Sequence, residues 1–266
     1  MEKNNIYQVD SFTDLPFKGN PAGVMILEED LAPEQMQLIA REMNLSETAF
    51  FYQEKQDVFR IRYFTPASEI PLCGHATLAS AHIIYQLGLK EPKDDIRFRT
   101  NDTTLTARKD GDGILMIFPR YKLDPIPIPG RFKELIGFQP QEYYQSDYGW
   151  FLAVAASQDH IRSARPDFER LKTEGPGHLI ITAESETYPV DFVCRCFAPS
   201  LGVNEDPVTG SAHCALTPLW AEKLGKESLE SMQLSERTGR MKVRLLGEKV
   251  EIRGQAVTVF QLKTMY

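Results

Sequence analysis

Cys73-Gly74-His75-Ala76-Thr77, followed by Leu78-Ala79-Ser80-Ala81-His82, is the stretch on which the fold turns. A glycine opens what reads as a helix. The small residues behind it let another backbone approach closely, so the segment predicts a buried helix over 74–87 with Gly88 as its cap. The stretch has a counterpart. Arg62-Tyr63-Phe64-Thr65-Pro66 stands before it, and Arg195-Cys196-Phe197-Ala198-Pro199 stands 133 positions later (195 − 62). Gly210-Ser211-Ala212-His213 follows that second copy, and Leu224-Gly225 answers Leu87-Gly88. The offset drifts to 136 (210 − 74) and then 137 (225 − 88), so the second copy carries a slightly longer loop. This spacing predicts two copies of one fold unit, each presenting a helix N-terminus at the same place.

Composition sets the outer bounds. With 266 residues the chain is one large domain or two small ones, and the repeat favours two. A hydrophobic share of 42% and a charged share of 25% are those of a globular protein. The net charge of −7, with no basic stripe among aromatics, argues against nucleic-acid binding. No apolar run approaches the roughly 20 residues of a membrane span, and Met1-Glu2-Lys3-Asn4-Asn5 carries no signal-peptide core. The cysteines (Cys73, Cys194, Cys196, Cys214) lack zinc-type spacing. The simplest reading is a cytoplasmic protein with free thiols.

Taken in order, residues 6–12 alternate like a strand, and Phe17 to Gly23 is a turn cluster around Asn20-Pro21. Pro33 to Met43 carries an apolar face at helical spacing. Leu45 to Tyr52 reads as a strand, with Glu47 on the face of Ala49 and Phe51. A carboxylate among apolar neighbours is costly unless it is paired or its pKa rises, and a raised pKa makes a usable proton shuttle. The competing reading has Glu47 at a strand end, pointing to water. Val58 to Phe64 is a further strand, and 96–107 and 114–118 are two more, joined through Lys109-Asp110-Gly111-Asp112-Gly113. Pro119, Pro125, Pro127, Pro129 and Gly130 crowd the midpoint, which places a first half at 1–120, a linker at 121–130 and a second half at 131–266. In the second half, short helices are expected at 132–136 and 166–172. Strands are expected at 143–146, 150–155, 179–182 and 191–197. A long loop at 202–209 leads to a helix over 210–223 kinked at Pro218, and strands at 242–246, 249–253 and 255–262 close the chain.

Helix N-termini expose unpaired amides and partial positive charge, so two such ends facing one cleft suit a small carboxylate. Cys73, Gly74 and His75 border the first end; Asp206, Thr209, Gly210 and Ser211 border the second. No dinucleotide fingerprint, phosphate loop or metal-spaced cluster competes, which leaves cofactor-free proton transfer with no metal. Each candidate has a plainer reading: a structural His75, an Asp206-Pro207 turn, a buried thiol at Cys73. At a helix start, however, a thiol becomes more acidic and reactive. His82, His213, Cys194, Cys196 and Cys214 read as core residues.

Asn20-Pro21-Ala22-Gly23, Asn44-Leu45-Ser46-Glu47-Thr48-Ala49-Phe50, Cys73-Gly74-His75-Ala76-Thr77 and residues 202–212 together resemble the PhzF-like isomerases, within the diaminopimelate epimerase-like superfamily. The likeness runs in order from about residue 6 to about residue 262. It implies an α+β fold of two pseudo-twofold related α/β-roll halves, each an antiparallel, barrel-like sheet around a central helix. It also implies isomerisation by proton transfer without a cofactor, with Glu47 as general acid/base. His75 and Asp206 would flank the substrate, with Asn20, Cys73, Gly74, Thr209, Gly210 and Ser211 around it. Homodimers are common in such families, and one is expected here.

The sequence departs from the superfamily's epimerases, which use two cysteines. Anchored on the glycines, Cys73 aligns with Thr209; at the offset of 133 it aligns with Asp206. Neither is a thiol, so a one-sided shuttle through Glu47 fits better than a symmetric pair. Two rivals remain: a racemase or epimerase using Cys73 with a non-thiol partner, and a non-catalytic binder of small carboxylates.

Overall fold

The structure is a computed structural model that describes residues 5–264. Residues 1–4 and 265–266, which include most of the N-terminus read for a signal core and the extreme ends of both expected halves, lie outside the described residues. The chain divides into two compact units: Met1–Ile117 with Arg253–Tyr266, and Phe118–Ile252.

The first unit contains β1 (Asn5–Ser11), β2 (Asn20–Ile26), α1 (Pro33–Met43), β3 (Glu47–Lys55), β4 (Val58–Phe64), β5 (Glu69–Ile70), α2 (Gly74–Gln86), β6 (Ile96–Arg99), β7 (Thr104–Asp110) and β8 (Gly113–Pro119). β1 and β2 are antiparallel, β2 and β3 parallel, β3 and β4 antiparallel, and β4 and β6 parallel; β7 and β8 follow antiparallel. The short β5 takes the other end of the β4 edge.

The second unit runs through β9 (Leu123–Pro125), α3 (Phe132–Ile136), β10 (Glu142–Ser146), β11 (Phe151–Val154), α4 (Gln158–Ser163), α5 (Phe168–Thr173), β12 (Leu179–Glu184), β13 (Phe192–Ala198), β14 (Val203–Asp206), α6 (His213–Leu224), β15 (Ser228–Gln233), β16 (Gly239–Leu246) and β17 (Lys249–Gly254). Its pairings repeat those of the first: β10 and β11 antiparallel, β11 and β12 parallel, β12 and β13 antiparallel, β13 and β15 parallel, β15 and β16 antiparallel, with β14 on the other end of β13. Both units are α+β, and both sheets are mixed rather than purely antiparallel.

The repeat extends to side chains. Arg62 makes a two-pronged ion pair with Glu69, Nε to Oε1 and Nη2 to Oε2, both at 2.8 Å. Arg195 pairs with Glu205 the same way, at 2.7 and 2.9 Å. Arg62 lies over the Phe64 ring at 5.4 Å, and Arg195 over Phe197 at 5.1 Å. Guanidinium is the side chain that can fork a carboxylate and stack on a ring at once, which explains why Arg-x-Phe recurs.

α2 is buried on every side from His75 through Ala81, where a surface helix would show a polar stripe. It packs on β1, β2, β3 and β7, and on the final strand β18 (Ala256–Lys263). Ala76, Ala79, Ser80 and Ala81 supply the smallness that lets one helix meet so many strands. Ser80 and Thr77 turn their hydroxyls back onto the carbonyls of Ala76 and Cys73, so no polar group is stranded. Gly23 faces Thr48 across the parallel β2–β3 pair, and a Cβ there would come within 2.8 Å of the Thr48 hydroxyl. The glycine therefore sets the close approach of the strand that begins at Glu47.

Several expectations change. Residues 253–266 belong with the first unit rather than with a half spanning 131–266, because β18 pairs antiparallel along β1. The expected linker 121–130 holds β9, which pairs with Tyr144–Ser146 inside the second unit. The 96–107 strand is interrupted: Thr100 closes a turn onto Thr103 through backbone and hydroxyl bonds. The loop at 202–209 contains β14, held to β13 partly by the Arg195–Glu205 pair. α6 starts at His213, three residues after Gly210, and continues through Pro218. The intervening residues form tight turns, with His213 N–H donating to Gly210 O and Cys214 N–H to Ser211 O.

Candidate active site

The first unit gathers five sequence-predicted residues: Asn20, Glu47, Cys73, Gly74 and His75. Ser11 is opposite Asn20 in the β1–β2 ladder, and Ala22 is opposite Glu47 in the β2–β3 ladder. Side chains two apart on a strand, and directly paired ones on neighbouring strands, share a face. Asn20, Ala22 and Glu47 therefore share one face. Ser11 Oγ donates to the His75 carbonyl at 2.8 Å, tying the start of α2 to the same corner of the sheet.

Glu47 is the first residue of β3, with its side chain 18% exposed. Its Oε2 lies 3.0 Å from His75 Nε2. That approach is an ion-pair distance rather than a well-directed hydrogen bond, and the buried oxygen has no hydrogen-bond partner among the described residues. The other face of the imidazole edge meets Cys73, whose Sγ is 3.4 Å from Nδ1 and 3.9 Å from Nε2. Cys73 has extended backbone at the N-cap of α2, and its thiol turns to His75 instead of capping the helix. Its carbonyl accepts from the Thr77 hydroxyl at 2.6 Å, and that hydroxyl also contacts the buried Tyr63 hydroxyl at 2.6 Å.

Electrostatics separates the three groups. Burial pushes the Cys73 thiol up, and the Glu47 carboxylate pushes it further, against a smaller opposing pull from His75. The helix start does not make this thiol acidic, contrary to the sequence-based expectation, because desolvation outweighs the helix field. Burial would by itself lower His75, but Cys73 and Glu47 outweigh it and hold the imidazole well above its ordinary 6.5. The carboxylate that faces His75 is that of Glu47, whose Oε2 stands 3.0 Å from Nε2.

The second unit places Asp206, Thr209, Gly210 and Ser211 in another cluster. Thr209 Oγ1 donates to Asp206 Oδ2 at 2.5 Å. Gln233, fully buried at the end of β15, clamps this segment: Nε2 donates to the Asp206 carbonyl at 2.6 Å, and Oε1 accepts from Thr209 N–H at 2.9 Å. His213 Nδ1 sits 3.0 Å from the Thr209 carbonyl, and Nε2 sits 2.8 Å from Ser231 Oγ. The carbonyl only accepts, so Nδ1 carries a proton. His213 is thus a buried, hydrogen-bonded core residue, as its position in the small-residue run predicts.

The repeat also exposes an asymmetry. Thr48 is opposite Phe64 in β3–β4, as Leu179 is opposite Phe197 in β12–β13. The residue preceding Leu179, and so standing where Glu47 stands, is His178. A carboxylate occupies this place in the first unit alone. Sequence reading missed Gln233, Ser11 and Tyr63. Ser228–Gln233 hides its strand behind polar residues, although the buried Leu229, Ser231 and Gln233 alternate with period two.

Two units of this topology, each with a buried small-residue helix against its sheet, define the epimerase and racemase class of fold. A proline racemase from Agrobacterium radiobacter has it at a TM-score of 0.63 and 11% identity, covering 98% of this chain and 93% of its own, a likeness of fold alone. The chain belongs to the PhzC-PhzF family of phenazine biosynthesis-like proteins, whose model matches residues 9–262. A PhzF-family protein from Enterococcus faecalis superposes with a TM-score of 0.94 at 35% identity over 99% of both chains. An uncharacterized isomerase of Halalkalibacterium halodurans is 42% identical over 257 residues, 96% of each chain. The protein is accordingly an isomerase. Among the described residues, no helix is long and apolar enough to cross a membrane.

Proposed function

We propose that this isomerase moves a proton between two carbons of a small carboxylate substrate, with Glu47 as the group that carries it. The observation that supports this most is the Glu47–His75 pair: a carboxylate oxygen, buried and without a directed hydrogen bond, 3.0 Å from an imidazole held toward its cationic form. Glu47 takes a proton from a carbon beside an unsaturated system. The electron pair of the broken C–H bond spreads into that system, and Glu47 returns the proton at another carbon on the same face. The charged His75 stabilises the negative charge that develops on the substrate. Asp206, Thr209, Gly210 and Ser211 contribute binding, as do Asn20, Cys73 and the first amides of α2 at Gly74. No cofactor takes part in this scheme. A homodimer belongs to the same proposal, and light scattering on the purified chain reads it directly.

The 3.4 Å Cys73–His75 contact favours a second reading, in which the thiol is the base of a racemase with a non-thiol partner. Incubating small unsaturated carboxylates in deuterated water separates the two. The shuttle gives a shifted double bond with deuterium introduced at the carbon that receives the proton; the racemase gives deuterium at one stereocentre with no shift.

A further inference from the structure

His178 holds in the second unit the place that Glu47 holds in the first, and its backbone is pinned there. Its carbonyl accepts from Phe151 N–H at 2.9 Å, which keeps it in the parallel β11–β12 ladder one place ahead of Leu179. At Gly177 before it, a Cβ would fall 1.7 Å from Ser200 Oγ. Two residues on, Ile180 is opposite Cys196 in β12–β13, and Cys196 is opposite Asp206 in β13–β14. Residues two apart on a strand and residues directly paired share a face, so His178, Ile180, Cys196 and Asp206 lie on one face. Thr182 belongs to that face too, and its hydroxyl accepts from Trp220 Nε1 of α6 at 3.0 Å. The face is therefore the one turned to the small-residue helix. Trp150 stands beside His178 as Ala22 stands beside Glu47, and the two rings lie 5.8 Å apart between centroids. His178 Nε2 is buried and has no hydrogen-bond partner among the described residues. Burial also pushes the imidazole below its ordinary 6.5, which favours the neutral ring. A neutral ring carries one proton, and a buried N–H without an acceptor is rarer than an acceptor left unused.

We propose that His178 is a substrate-binding residue of the isomerase, with its proton on Nδ1 and a bare Nε2 that accepts a hydrogen bond from an O–H or N–H of the substrate. The assignment rests on the reading of Asp206 and its neighbours as binding groups, and not on Glu47 as the proton carrier. The residue as a whole is only partly buried, and the outer torsion of histidine is soft, so a turn of the ring brings Nε2 to a ligand. A donor arriving there satisfies a nitrogen that the ligand-free chain leaves unpaired. The repeat thus puts a proton carrier at this place in the first unit and a hydrogen-bond acceptor in the second.

Two-bond proton–nitrogen spectra of histidine-labelled protein read the tautomer with no substrate present, the His178 ring being identified by its absence in His178→Phe. The proton should sit on Nδ1, and a proton on Nε2 overturns the proposal. Turnover is then measured on the substrate that deuterium-exchange screening of small carboxylates yields. His178→Phe keeps a flat ring without the acceptor. It should raise KM about three- to tenfold, the loss of one hydrogen bond, and leave kcat within about twofold, as loss of uniform binding does. His178→Gln, whose Oε1 reaches about as far as Nε2, should recover most of that loss. Near-ultraviolet circular dichroism confirms that both variants are folded. An unchanged KM in folded His178→Phe, a loss confined to kcat, or a His178→Gln no better than His178→Phe overturns the assignment. Solvent exchange in Glu47→Gln tests the proton carrier separately, so failure of one reading is distinguishable from failure of the other.

Discussion

Glu47 Oε2 and His75 Nε2 stand 3.0 Å apart, one at the first residue of a strand and the other at the second residue of the helix that the same sheet surrounds. His75 consequently binds its proton more tightly when folded than when unfolded. A group with a raised folded pKa stabilises fully below its unfolded value and loses that contribution as pH rises toward the folded value. Stability should therefore decline above about pH 6.5, by up to about 1.4 kcal/mol per pH unit for one proton. Thermal melts of the wild type and His75→Asn across pH 6 to 9 check this. The variant should lose that slope.

Cys73 lies against the same imidazole, yet its thiol is pushed up by burial and by Glu47. Slow alkylation by iodoacetamide at pH 7.5 follows, on the scale of a buried thiol rather than an activated one. Cys73→Ala should lower turnover less than about tenfold, since the thiol is not the proton carrier. Loss of all turnover in that variant, with retained turnover in Glu47→Gln, would establish the racemase reading instead.

Much of this was legible in the sequence, and the reasons are physical. Arg-x-Phe recurs because a forked ion pair and a ring contact are needed at the same turn in both units, so the repeat survives as letters. The small-residue run announces α2 because burial on all sides demands it. What stayed hidden depends on long-range pairing. Nothing local says that Ala256–Lys263 returns to β1, or that Leu123–Pro125 leaves a proline-rich stretch to pair with β10. The helix start expected at Gly210 moved to His213 because tight turns take up residues 210–212. Cys73 next to a helix start looked acidic in isolation, and only the burial of the finished fold reverses that.

Gln233 holds Asp206 and Thr209 in place through buried bonds at 2.6 and 2.9 Å. Gln233→Leu removes both and strands Thr209 N–H and the Asp206 carbonyl, a loss of about 2–6 kcal/mol at 1–3 per stranded group, the lower end if water reaches them. Urea unfolding should read that loss. Turnover measured well below the unfolding transition should also fall, because Asp206 loses its support, whereas a purely structural glutamine would leave it unchanged.

Arg195 and Glu205 are about one-tenth and one-fifth exposed, so the pair is only partly screened by water. Arg195→Met leaves the carboxylate behind and should cost about 2–3 kcal/mol, below the 3–5 of a fully buried pair. Adding Glu205→Leu should recover part of it. A double-mutant cycle by urea titration checks both, and the same cycle on Arg62 and Glu69 should give a similar coupling if the repeat is energetic as well as geometric.

The central claim is that Glu47 moves the proton. With a substrate found by exchange screening, the rate of deuterium entry from solvent is compared in wild type and Glu47→Gln, the glutamine keeping the size of the side chain while removing its basicity. The account predicts a fall of about a hundred- to ten-thousand-fold, the range for loss of a general acid/base, with substrate still bound. Exchange in folded Glu47→Gln at the wild-type rate would contradict it.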